Sequence, residues 1–341
     1  MTRARLLRSA ISVLIGFAIA GLLAEGLARL FFDERIAPRY VMDSGYGVRA
    51  NQPNITTRHY VPGEYSVTIS TNSAGMRATA EYSVEKPDGV NRILMLGDSF
   101  VFGYGVENDE VVSAMLESLL NGETAVDREF EVINLAVAGF GQAEELVSYE
   151  ENGKAYGADV VVVFYYENDI GNNAVSGLFE IAADGTLVRI GKSYLPAVRS
   201  REILYSIAPV RWLFEHSAAW NVIRNRLSYI VQQSKLKEQG LTNVHDSNSE
   251  ATDLTKALLR KFIAEIRANG SEPVIVVIPS QKQMASNFPL ERQDIEGLGA
   301  YLIDGRDYLV AEDYWPIDSH WKATGHRKTA EQLVSLIEGI R

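Results

Sequence analysis

Four short stretches place polar side chains where an apolar run gives way to a turn. Gly97-Asp98-Ser99 directly follows Ile93-Leu94-Met95-Leu96. Asn134-Leu-Ala-Val-Ala-Gly139-Phe-Gly141 closes the run at 130–135, and Glu167-Asn168-Asp169 follows the run at 159–165. Asp318-Ser319-His320-Trp321 lies near the C-terminus, with Gly325-His326 soon after. A serine hydroxyl is a weak nucleophile near neutral pH and needs an adjacent base. His320 has the chemistry to take its proton, and Asp318 to fix the imidazole tautomer. Acyl transfer also needs donors that meet the oxyanion of the tetrahedral intermediate. Gly139 suits that task, because an amide without a side chain lets substrate approach closely.

Each of these residues also has a plainer reading. A serine after a strand can simply cap the next helix. Asn168 alone reads as a turn former, and Asp98 as support for its loop rather than a reactant. His326 reads as capping or packing. His59, His216 and His245 are scattered and receive no role. Asp169, Asn172 and Asn173 read as a solvated loop in preference to substrate ligands. No His, Asp and Glu spacing suggests a catalytic metal, and no cofactor is expected. Cysteine is absent, so neither a disulfide framework nor a thiolate metal site can form.

Strands must carry these turns. The runs 93–96, 130–135, 159–165 (DVVVVFY) and 273–278 (PVIVVI) read as strands, with a short fifth at 301–303. They alternate with helical segments at 111–120, 143–156, 254–268 and 326–340. Leu258, Leu259, Phe262 and Ile266 share one face of the third of these. Unbroken apolar strands alternating with helices imply a parallel sheet covered on both faces. Function in such sheets sits at the carboxyl ends of the strands.

Three regions stand outside this rhythm. Residues 33–90 read as an N-terminal extension packed on the main domain, with a strand at 65–70. Residues 171–253 contain a hairpin around Asp184-Gly185, aromatic helices from 203 to 231 carrying Trp212, Phe214, Trp220 and Tyr229, and a polar loop at 235–249. This insertion is expected to cap the site. Residues 1–32 hold Arg3, Arg5 and Arg8 before an apolar run from Ser9 to Ala24 that resumes after Glu25. The run is read as an uncleaved membrane anchor in preference to a cleaved signal, with the N-terminus inside and residues 33–341 outside the cytoplasm. A net charge of −11 argues against nucleic acid as a partner.

In their order and placement, the four stretches resemble the SGNH (GDSL) hydrolases from about Arg92 to the C-terminus. The resemblance implies a three-layer α/β/α, flavodoxin-like fold over residues 91–341. It implies Ser99 as nucleophile, His320 and Asp318 as its partners, and an oxyanion hole from the Ser99 and Gly139 backbone amides and the Asn168 side chain. The substrate is then an acyl ester, on polysaccharide or lipid. Two departures qualify the pattern. The family's commoner spacing is Asp-x-x-His, whereas Ile317 stands three before His320 and Asp318 only two before. Glu167 stands where many members have glycine. Asp-x-His-Trp resembles the alginate O-acetylation branch of the superfamily. The first expectation is therefore an extracytoplasmic serine esterase or deacetylase. The second is an O-acetyltransferase acting on exported or envelope polysaccharide, and the third a non-catalytic carbohydrate-binding or scaffold module. A nucleotide-binding flavodoxin-like protein is excluded, because GDSFVFGYG lacks the Gly-x-Gly-x-x-Gly fingerprint after the first strand.

Overall fold

The computed structural model describes residues 3–32, 40–123, 129–196, 198–238, 240, 248–281, 290 and 292–340. In chain order the elements begin with helix α1 (Arg3–Phe31) and strands β1 (Val41–Asp43), β2 (Arg49–Asn51), β3 (Thr56–Val61), β4 (Tyr65–Ser70) and β5 (Val90–Leu96). Next come α2 (Ser99–Phe102), α3 (Val112–Glu123), β6 (Glu129–Asn134), α4 (Gln142–Glu151), β7 (Val160–Tyr166) and α5 (Asp169–Ser176). The insertion supplies β8 (Phe179–Ile181), β9 (Leu187–Arg189), α6 (Val198–Ser206), α7 (Ala208–His216) and α8 (Ala218–Glu238). The chain ends with α9 (Ser249–Ala268), β10 (Glu272–Ile278), α10 (Arg292–Glu296), β11 (Tyr301–Asp304) and α11 (Ala323–Gly339).

Five strands form one parallel sheet in the order β6-β5-β7-β10-β11. Numbered by their own sequence this is 2-1-3-4-5, the flavodoxin-like winding. The apolar runs are unbroken because both faces are covered. Leu94, Leu96, Val161, Val163 and Ile275 pack against Leu146 of α4 and Leu259 and Phe262 of α9. Their neighbours Ile93, Met95, Val162 and Val276 face Leu116 of α3 and Leu333 of α11. The segment expected to be helical over 143–156 divides, with α4 ending at Glu151 and a 3₁₀ turn at Gly153–Tyr156 completing it.

Two antiparallel hairpins, β1–β2 and β3–β4, are the strand pairs among the described residues of the N-terminal extension. In the insertion, the hairpin expected around Asp184-Gly185 is present as β8–β9. Residues 235–238 belong to α8 rather than to a loop, while 241–247, including His245, lie outside the described residues. Helix α8 packs against α1, α5 and α7.

Candidate active site

Strand β5 lies between β6 and β7 in the sheet, so the turns after all three open side by side at one edge. Ser99, Gly139 and Asn168 sit on those three turns. Gly97 makes the first turn tight. A Cβ there would come within 2.4 Å of Val101 Cγ2 and 3.2 Å of Phe164 Cβ, so only glycine fits. The cap of α2 is Asp98, whose Oδ1 accepts from the Phe100 amide at 2.9 Å. The Ser99 hydroxyl is thereby left free of capping and points elsewhere.

It points at His320. Ser99 Oγ lies 2.7 Å from His320 Nε2, and His320 Nδ1 lies 2.7 Å from Asp318 Oδ2. One tautomer satisfies both contacts, with the serine hydroxyl donating to Nε2 and Nδ1–H donating to the carboxylate. The imidazole is flanked by the rings of Phe100 and Tyr104, at centroid distances of 4.9 and 5.2 Å. Burial would raise the Asp318 carboxyl, but hydrogen bonds from His320 and Tyr65 and the charge of His320 outweigh it and hold the group at about 2. Asp318 is therefore ionised throughout the neutral range.

The short Asp-x-His spacing has a local solution. Ser319 adopts a left-handed conformation with φ +65°. This is uncommon for a residue with a side chain. It turns the backbone so that, two residues apart, the Asp318 carboxylate meets Nδ1 of His320 while Nε2 faces Ser99. The Ser319 amide donates to the Trp315 carbonyl and the Trp315 amide to the His320 carbonyl, each at 2.8 Å, closing the loop.

The β3–β4 hairpin holds this loop from outside. The Tyr65 hydroxyl donates to Asp318 Oδ2 at 2.7 Å. Tyr65 has one hydroxyl hydrogen, so the 3.2 Å contact with His59 Nε2 runs from the imidazole N–H to the Tyr65 oxygen. At the hairpin tip, the Glu64 carboxylate accepts from the amides of Ile317 at 2.5 Å and Asp318 at 2.8 Å. The β1–β2 hairpin holds the turn after β6 in the same way. Arg49 Nη2 donates to the Gly139 carbonyl at 2.7 Å, and Asn51 Nδ2 to the Ala136 carbonyl at 2.9 Å. Gly139 has φ +74°, which an L side chain rarely adopts. Asn168 stands at the N-terminus of α5, where Asn172 Nδ2 approaches its Oδ1 at 3.4 Å. That contact occupies the carbonyl end of the Asn168 amide and leaves the donor end for another partner.

Tyr65, Glu64, His59 and Arg49 were not legible as site residues. His59, given no role by its position in the sequence, faces inward with Tyr65 because both lie on the buried side of the hairpin. Only the alternation of Tyr65-Ser-Val-Thr-Ile-Ser70 hinted at that side. Asp169 and Asn173 also depart from expectation. Neither is in a solvated loop, and both are fully buried in α5. Asp169 Oδ2 accepts from the Tyr166 amide at 2.8 Å and from Gln142 Nε2 at 2.6 Å. Asn173 bonds Gln142, Thr255 and the Ala143 amide.

Asp169 belongs to a buried group of carboxyls behind Ser99. Burial pushes Asp98 up to about 6 and Glu144 up to about 7. Glu145 is raised well above the usual carboxylate range, first by burial and then by Asp169, Asp98 and Glu144 nearby. Neither Glu145 oxygen has a hydrogen-bond partner among the described residues. His326 is buried, its Nδ1 accepts from the Val112 amide at 3.2 Å, and burial lowers it to about 3, so it is a neutral packing residue. Trp321 is fully buried beside Phe100 and His326. A cavity of about 510 Å³ lies away from the triad residues, between the segment 77–82 and α3.

A family model for GDSL-like lipases and acylhydrolases matches residues 93–333. The chain belongs to that family. It is an ester-bond hydrolase. No curated protein matches the sequence. Among solved structures the chain is similar to LAE5, an alpha/beta hydrolase from the metagenome of Lake Arreo, Spain. The two are 11% identical, with 72% of this chain and 94% of that one covered at a TM-score of 0.43. It is similar to Axe2, an acetylxylan esterase from Geobacillus stearothermophilus, at 13% identity, 72% and 93% coverage and a TM-score of 0.41. The psychrotrophic esterase EstA from Pseudoalteromonas sp. is 12% identical, with 73% and 97% covered and a TM-score of 0.40.

Proposed function

We propose that the protein is a serine esterase whose nucleophile is Ser99, with His320 as base and Asp318 as the group that orients it. The observation carrying this reading is the pair of 2.7 Å contacts from Ser99 Oγ through His320 to Asp318, with helix capping assigned to Asp98 instead. In the reaction, Ser99 Oγ attacks the ester carbonyl as its proton passes to His320 Nε2. The tetrahedral oxyanion is met by the amides of Ser99 and Gly139 and the side-chain amide of Asn168. Collapse breaks the bond to the alcohol oxygen, which takes the proton from Nε2 and leaves. Water then repeats the sequence against the acyl-enzyme, releasing the acid and restoring Ser99. A sugar hydroxyl in place of that water would give O-acyl transfer through the same residues.

The protein acts outside the cytoplasm, held by α1. Helix α1 offers a 21-residue apolar stretch at Ile11–Phe31 that is almost wholly exposed. Arg3, Arg5 and Arg8 precede it, which favours an internal N-terminus. Its far end is engaged by the rest of the chain. Glu25 accepts from Ser217 Oγ and from the amides of Ala218 and Ala219 at 2.8, 3.0 and 3.2 Å, and Ala28 is buried. Cleavage after a signal would discard those contacts, so they support a retained anchor. The substrate is an acyl ester on envelope or exported polysaccharide, or on lipid.

Detergent-solubilised full-length protein with p-nitrophenyl acetate tests the assignment. Ser99→Ala should lower kcat by about a thousandfold or more while the circular dichroism spectrum is unchanged. Asn168→Ala should cost about a hundredfold. A Ser99→Ala protein with full activity would remove Ser99 as nucleophile. Covalent labelling of Ser99 by a fluorophosphonate without steady ester turnover would direct the search to a sugar acceptor. A folded protein with neither signal would leave the binding-module reading.

A further inference from the structure

Helices α6–α8 leave large apolar side chains in the open. On α8, Ile223, Leu227, Ile230 and Val231 repeat at i, i+4, i+7 and i+8 and so share one face, and each is more than half exposed. Trp212 of α7 and Ile203 of α6 are equally exposed. Monomeric proteins rarely leave so much contiguous apolar area against water. We propose that this face lies on the anionic lipid surface of the membrane that α1 crosses. The inference rests on the anchor reading of α1.

Three observations choose lipid as the occupant. The first is position. From Ser9 to Ala24 the helix carries no charge, and this stretch is about 24 Å long, most of the thickness of a bilayer's hydrocarbon core. Glu25 follows it, at the lipid–water boundary. Glu25 holds the N-terminus of α8, and Arg29 Nη2 donates to the His216 carbonyl at 2.8 Å. The start of α8 is thus fixed at the boundary's depth. The second is charge. Residues 198–238 carry seven Lys and Arg against three Glu, in a chain of net charge −11. Local positive charge of this kind attracts anionic headgroups. A second copy of the chain packed two-fold on the same face would instead set these cations against one another. The third is composition. Exposed Trp212 and Tyr229 beside aliphatic residues are the side chains that settle at membrane interfaces. Because α8 also packs against α5, the platform holds the turn bearing Asn168 close to that surface.

The absence of cysteine makes the test direct. Single-cysteine variants Ile223→Cys, Leu227→Cys, Asn225→Cys and Leu14→Cys of the full chain would carry an NBD fluorophore in vesicles of phosphatidylcholine and phosphatidylglycerol. Asn225 is exposed and lies across the helix from Ile223. Labels at 223 and 227 should be blue-shifted and lose fluorescence to doxyl-labelled lipid, while the label at 225 should not. The loss should shrink in vesicles of phosphatidylcholine alone; equal loss in both would overturn the choice of an anionic surface. A quenched label at 14 with unquenched labels at 223 and 227 would overturn the proposal while leaving the anchor intact. Blue-shifted but unquenched labels at 223 and 227 would mean that protein covers the face, which also overturns it. An unquenched label at 14 would refute the anchor. In that event, quenching at 223 and 227 would uphold lipid contact by α8 alone, and its absence would end the proposal.

Discussion

Tyr65 has one proton to give and gives it to Asp318, the carboxylate proposed to orient His320. Its ring is packed with Val61, Val67 and Trp315, so Tyr65→Phe should leave the hairpin in place and remove only the hydroxyl. Hydrogen bonds to charged groups are worth about 1.5–3 kcal/mol. The loss should therefore appear as about a tenfold or larger fall in kcat with KM little changed. Unaltered kcat would show that Asp318 is positioned without Tyr65. At this scale the sequence was informative about the proposed reacting groups and silent about their supports. Ser99, Asp318 and His320 stood out because their residue types and turn positions are chemically unusual together. Tyr65 and Glu64 are ordinary strand and turn residues whose partners lie about 250 positions away, and no local pattern encodes such a pairing. The unusual Asp-x-His spacing was visible in the sequence. Its solution in a left-handed Ser319 was not, since serine carries no preference for that conformation.

The elements were legible in proportion to their periodicity. Strands β5, β7 and β10 read directly, because a strand buried on both faces is an unbroken apolar run. Helix α9 read from its single apolar stripe. Helices α4 and α5 were harder, since they bury Gln142, Glu144, Glu145, Asp169 and Asn173, residues that normally mark a solvated surface. Their burial has a consequence for stability. A carboxyl raised in the folded state binds its proton more tightly folded than unfolded. Glu145 therefore contributes least penalty below its unfolded value of about 4.5, and stability declines as pH rises from there toward its folded value. The slope for one such group is about 1.4 kcal/mol per pH unit. Melting temperature should fall between pH 5 and pH 8, and Glu145→Gln should flatten that fall by leaving nothing to ionise. An unchanged slope in Glu145→Gln would place the titration elsewhere in the cluster.

Over the whole molecule, the parallel sheet covered on both faces followed from the alternation of elements, while its flavodoxin-like winding came only with the family resemblance. The path of residues 40–72 followed from neither, because short hairpins carry little signal beyond two-residue alternation. Yet those hairpins reach both halves of the site, Glu64 and Tyr65 at the Asp318 loop and Arg49 and Asn51 at the turn after β6. The family match begins only at residue 93, inside the first strand of the sheet. A chain shortened to Val90, the start of β5, would keep Ser99, Asp318, His320 and all five strands while losing the clamps on both loops. It should fold with the far-ultraviolet spectrum of an α/β protein and be nearly inactive, and activity equal to the longer chain's would show the clamps to be dispensable. On the proposed reading of the site, the catalytic unit is longer than its recognisable homology, and a boundary drawn by likeness alone would cut through its working parts.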